Sequence, residues 1–154
     1  MRMLSRLLKF YYTASHWPEY LAPILDVGLR LYLANVFFKS GLLKVQNWDS
    51  TLYLFSDVYH VPFLPPELAA SMAASAELVL SALLTIGLLG RFSAAGLFIL
   101  NIVAVISYAE LSDAGINQHL SWGILLGVLL ITSHGRWSVD AWLEKRFENQ
   151  VNKL

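Results

Sequence analysis

Arg30, Lys39, Glu77 and Asn101 stand inside stretches of sequence that are otherwise almost wholly apolar, and Glu110 and His119 stand at the edges of two such stretches. At the centre of a bilayer an ionisable group costs roughly 2.5–3.5 kcal/mol on insertion scales, so such groups persist where they pair inside a bundle or do chemistry. Glu77 can exchange a proton. Arg30 and Lys39 can donate hydrogen bonds to a polar ligand. His119 can pass protons to the surface, and Tyr108 and Trp122 can wall a pocket. Together these residues predict a polar interior that binds a headgroup or conducts protons. The same residues also read as structure: an Arg30–Glu77–Asn101 bridge would fix helix register without any ligand.

Helices must place these groups. About 20 apolar residues carry a helix across the hydrocarbon core, and four segments qualify, at about 20–43, 67–90, 92–111 and 118–133. The predicted fold is an all-α, integral membrane four-helix bundle forming one domain over 1–154. At about 1.5 Å of rise per residue, Glu77 and Asn101 fall at one depth, roughly 15 Å from the outer end of their spans. Arg30 at roughly 20 Å and Lys39 at roughly 6 Å bracket them on the first span. Asp26 can reach Arg30 four residues on. Glu110 and His119, flanking the last connection, are expected to pair near the outer surface. Ala69, Ala70, Ala73, Ala74 and Ala76 make the second span narrow enough for close helix approach, within the chain in preference to a dimer seam. Gly90-Arg91 reads as one turn and Ser112-Asp113-Ala114-Gly115 as another, and Pro66 suits a first helical turn.

Basic residues orient the bundle. Arg2, Arg6, Lys9, Arg91, Arg136, Lys145, Arg146 and Lys153 share one side if there are four spans, and Lys44 alone edges the other. That asymmetry predicts both termini in the cytoplasm, and the expected location is the bacterial inner membrane. Residues 3–12 carry Leu4, Leu7, Leu8, Tyr11 and Tyr12 at helical spacing and read as a short interfacial helix. The tail around Trp142, Lys145, Arg146 and Phe147 reads the same way. The long first connection is rich in aromatics. It holds a candidate helix capped by Asp49, with Leu52, Phe55 and Tyr59 on one face, serving as an interfacial belt or as a lid.

Composition narrows the chemistry. Charged residues make up 14% of the chain, against about a quarter in soluble domains, so much of the surface faces lipid. The formal net charge is +0, which gives no field to attract nucleic acid. With no cysteine, thiol catalysis and iron–sulfur clusters are excluded. His119 and His134 bracket the last span and no histidine lies at mid-membrane, so neither haem nor a metal is expected, although His60 and His119 share the outer side.

Three segments resemble the DoxX family of small membrane proteins. The stretch from Gly28 to Lys44, with Arg30, Phe37, Gly41 and Lys44, is similar to its first span. Ser75-Ala-Glu77-Leu followed by Gly87-Leu-Leu-Gly-Arg91 is similar to its second, and Gly135-Arg-Trp-Ser-Val-Asp140 to its closing signature. The resemblance covers about residues 24–143. It makes Arg30, Lys44, Glu77, Arg91, Arg136 and Asp140 the motif positions, and it implies a four-helix bundle linked to quinone reduction or to oxidative and metal stress. Two functions follow from it. One is a quinone-interacting membrane subunit of an oxidoreductase system. Its donor would be Lys39 or Arg30, its proton exchanger Glu77 and its outer proton contact His119, with electrons supplied by a soluble or membrane redox partner. The other is a non-enzymatic scaffold or small-solute permease component. Lipid contact is expected in both, and a homo-oligomer is compatible with either.

Overall fold

The computed structural model describes the backbone of residues 2–132, 135 and 137–151, and the side chains of residues 11, 20–132, 135 and 137–149. Six helices follow in order: α1 (Arg2–Gln46), α2 (Trp48–Asp57), α3 (Pro66–Ile86), α4 (Gly90–Ser107), α5 (Asp113–Thr132) and α6 (Val139–Val151). Among the described residues four segments are long and apolar enough to cross a membrane: Tyr20–Gln46 of α1, then α3, α4 and α5. The chain is an all-α membrane four-helix bundle, with α2 closing one end and α6 the other.

The core is an apolar stripe from each span: Leu33, Ala34 and Phe37 of α1, Leu80 and Leu84 of α3, Ala94 and Leu97 of α4, and Leu126 and Leu129 of α5. Large apolar side chains on the outward faces stay exposed, Phe38, Val79, Ile99 and Ile124 among them. With no described residue covering them, these faces contact lipid. The alanines of α3 serve contacts within the chain. Ala69 and Ala70 are buried and Ala73 packs beside them, making a shallow bed for Phe55, Leu52 and Tyr59.

Several local expectations change. The N-terminal helix is present but runs without a break into the first span, so 3–12 is not a separate element; of its apolar face Tyr11 is exposed, and the side chains of Leu4, Leu7, Leu8 and Tyr12 lie outside the described residues. The first-loop helix exists, but it starts at Trp48 after Asn47, which makes no capping bond; Asp49 lies in its first turn and does not cap it. The α3–α4 turn is made by Gly87, not by Gly90. Gly87 takes the left-handed conformation (φ 69°), Leu89 joins it (φ 51°), and α4 begins at Gly90. The last span starts at Asp113, five residues before the expected Gln118, because the Ser112 hydroxyl accepts the Gly115 N–H (3.2 Å) and caps it. Pro66 occupies the first turn of α3 as expected.

Candidate functional site

The buried polar groups separate into two clusters. At the α6 end, Arg30 is 3% exposed. Its Nε donates to Asp26 (3.0 Å) and its Nη2 to the carbonyl of Trp137 (2.9 Å). Asp140 accepts the N–H groups of Leu89 and Gly90, at 2.9 Å each, and its own N–H donates to the Gly87 carbonyl (3.0 Å). A carboxylate on the first amides of α4 satisfies donors that the helix itself cannot, and it complements the helix dipole. This cluster is a clasp tying α1, the α3–α4 turn and the start of α6. Asp140→Ala is expected to lower stability by about 2 kcal/mol, measured as a drop in the thermal midpoint in detergent, with Asp140→Asn recovering part of it. Arg91 is exposed in the first turn of α4, and Arg136 lies outside the described residues.

The second cluster lies beneath α2. Lys44 Nζ donates to both oxygens of Glu77, at 2.9 and 2.8 Å, and to the Ser40 hydroxyl (2.7 Å). The Ser40 hydroxyl contacts Glu77 in turn (3.3 Å), and Thr51 of α2 donates to the Lys44 carbonyl (3.0 Å). Lys44 therefore pairs with Glu77, where Arg30 or Lys39 was expected to. Helical phase explains the difference. Arg30, Leu33, Phe37, Gly41 and Lys44 repeat at steps of three and four along one face, whereas Lys39 is turned away and exposed. Depth agrees as well. Gly41 packs against α3 at Ala74, Glu77 and Leu78, where a Cβ would find Glu77 Cβ and Leu78 Cγ at 3.0 Å. The first span thus ends below the start of α3, and α2 fills the step.

Aromatic rings complete this layer. Phe55 and Tyr59 meet edge to face at 5.2 Å, and Tyr59 meets Tyr108 at 5.4 Å. The His60 N–H donates to the Ser107 carbonyl (2.9 Å), holding the connection to α4. Burial, then the neighbouring Tyr108 and the charge of Glu77, push the Tyr59 phenol above its ordinary value of 10. The sign is fixed by that direction. The protonated phenol is the form favoured by folding, so its contribution is complete below pH about 10 and is lost as pH rises through the higher folded value. An ultraviolet titration should show one of the 7 tyrosines ionising late, and Tyr59→Phe should remove that step. Beside Tyr59 is a cavity of about 330 Å³ lined by Phe55, Ser56, His60, Val61, Leu64 and Pro66, among others.

Asn101 and His119 pair with each other in the same layer. Asn101 Nδ2 donates to the His119 carbonyl (2.9 Å), and its Oδ1 lies 2.8 Å from His119 Nδ1. Trp122 packs edge-on to His119 (5.1 Å) and to Phe37 (6.0 Å), and its Nε1 donates to the Tyr32 hydroxyl (3.3 Å). The expected Glu110–His119 pair does not form. Because α4 stops at Ser107 and α5 starts early, Glu110 is exposed in the turn while His119 lies well inside α5. The Arg30–Glu77–Asn101 bridge does not form either, since each of the three has a different partner. Among the described residues no group of His, Asp or Glu is arranged to hold a metal ion.

The DoxX family model matches residues 25–109, more than half of the chain. The chain belongs to the DoxX family. A protein of Haemophilus influenzae described as uncharacterized is 34% identical over 128 residues, which cover 76% of this chain and 82% of that relative. No solved structure matches the chain. The matched DoxX region contains Arg30, Lys44, Glu77 and Arg91. It therefore takes in the Lys44–Glu77 pair whole but only part of the clasp, whose Asp140 lies beyond it. Tyr59 and Ser40 were not picked out as site residues in advance. Ser40 could have been found, since it sits four residues before Lys44 on the same helical face.

Proposed function

We propose that this DoxX protein is a quinone-interacting membrane subunit of an oxidoreductase system, with the quinone ring held beneath α2. The observation that carries this reading is Tyr59, which lines a cavity of about 330 Å³ formed by residues 55–66 and stands close enough to Glu77, the partner of Lys44, to feel its charge. Ligand pockets start at about 300 Å³ and are mostly apolar with a few polar groups. Here Phe55, Val61 and Leu64 offer the apolar wall and Tyr59 a phenolic donor, while Lys44 holds the Glu77 carboxylate below them. Reduction of a quinone to a quinol takes two electrons and two protons. Glu77 supplies and recovers protons at a carbonyl oxygen. The electrons come from a redox partner protein, because no residue of this chain carries them.

A photoreactive azidoquinone tests the reading. Label confined to residues 55–66, and competed by plain quinone, supports it. Label spread over the lipid faces without competition overturns it. A second reading, a non-enzymatic scaffold, is favoured by the saturation of the pair: Lys44 Nζ has three acceptors and both Glu77 oxygens are occupied. A scaffold would retain a soluble partner through purification and no quinone.

The distribution of lysine and arginine supports an inner-membrane orientation with both termini cytoplasmic. Since the chain has no cysteine, single cysteines placed in α2 and α6 and probed with an impermeant thiol reagent test this. Labelling of intact cells at α2 alone is the expected result.

A further inference from the structure

We infer that Asn101 locks His119 in its Nδ1–H form, so that His119 Nε2 stands as a fixed acceptor for an O–H donor, the hydroxyl of a quinol in this setting. The argument starts from a carbonyl. The backbone oxygen of His119 can only accept, and the Asn101 amide atom 2.9 Å from it must therefore be Nδ2, which donates. With Nδ2 so placed, the other end of the amide is Oδ1, and it faces His119 Nδ1 at 2.8 Å. An amide oxygen can only accept, so Nδ1 carries the hydrogen. Neutral imidazole has one N–H, which leaves Nε2 with a free lone pair.

The surroundings hold this arrangement. Asn101 is 4% exposed, and Gly123 leaves the space its amide occupies, since a Cβ there would lie 3.2 Å from Nδ2. Trp122 fixes the ring from the side (5.1 Å, 75° between planes). His119 itself is only half-buried, and no described residue takes up Nε2. His119 is also level with the Lys44–Glu77 pair. Gly96 packs on Leu80, so Asn101, five residues along α4, falls within about 3 Å of the depth of Glu77, three residues back along α3. The quinol formed when the bound quinone takes up two electrons and two protons would donate one hydroxyl to Nε2, a hydrogen bond that holds it in this layer with no proton transferred. Asn101 is a positioning residue, acting through His119.

The identity of the donor as a quinol rests on the proposed function; the protonation form of His119 does not. The experiment is nitrogen-15 NMR of histidine-labelled full-length protein in detergent, with His119→Gln assigning the resonances. At a pH where His119 is neutral, Nδ1 is expected in the protonated range and Nε2 in the unprotonated range. A short-chain benzoquinol should then move the Nε2 resonance upfield, and Asn101→Ala should shift the population toward Nε2–H, the form that neutral imidazole favours in water. Protonated Nε2 in the wild type overturns the inference regardless of ligand. A correct form with Nε2 unmoved by quinol also overturns the acceptor role. In that case, quenching of tryptophan fluorescence by the same quinol would show that the quinone reading survives, and absence of quenching would show that it falls as well.

Discussion

Glu77→Ala is expected to lower stability by about 3 kcal/mol. The reason is Lys44. The Lys44 side chain is 20% exposed and that of Glu77 11%, so removing the carboxylate leaves the Lys44 ammonium with the Ser40 hydroxyl as its one remaining described partner. Glu77→Gln preserves shape and one acceptor oxygen and should cost about 1 kcal/mol. Lys44→Met combined with Glu77→Leu removes both charges and should return most of the stability, because a buried ion pair often gives way to apolar side chains at little cost. Thermal unfolding of all three variants in one detergent measures this. A loss below about 0.5 kcal/mol for Glu77→Ala would class the pair with solvent-exposed bridges and remove it from the bundle interior.

The second large effect is at the opposite end. Gly87→Ala is expected to cost more than about 3 kcal/mol, from two sources. The residue is left-handed (φ 69°), which costs an L side chain about 1–2 kcal/mol. The new Cβ would also press on the Arg30 guanidinium and lie 2.7 Å from Ser138 Cβ and 3.0 Å from Ser138 Cα. Neither neighbour can yield freely, since Arg30 is held by Asp26 and Trp137 and Ser138 precedes the helix whose Asp140 caps α4. Loss of the clasp should appear as faster proteolysis within 135–140 as well as a lower midpoint. An unchanged midpoint would mean that the clasp carries no stability.

The four spans were legible because length and apolarity decide them. Their internal pairings were less so. Depth along a span can be counted, and it put Asn101 at the level of Glu77, although the two have different partners. Depth gives no azimuth, however, and it assumed that α1 and α3 reach the same level. Lys39 looked apt by height yet faces outward, while Lys44 was assigned to the membrane edge although α2 lies over it. The face shared by Leu33, Phe37, Gly41 and Lys44 was visible in the sequence and would have selected Lys44. The pairing of His119 with Asn101 depended on where α5 starts, a matter of one serine hydroxyl at Ser112. The clasp role of Asp140 could not be read from spacing at all, because its partners are backbone amides some 50 residues away in the chain.

Native mass spectrometry of the protein released from mild detergent tests the quinone site most directly. The account predicts an adduct with the mass of a quinone, retained by the wild type, weakened in Tyr59→Phe and lost in Lys44→Met combined with Glu77→Leu. A chain that carries only lipid or a protein partner, and is identical in wild type and variants, would contradict it.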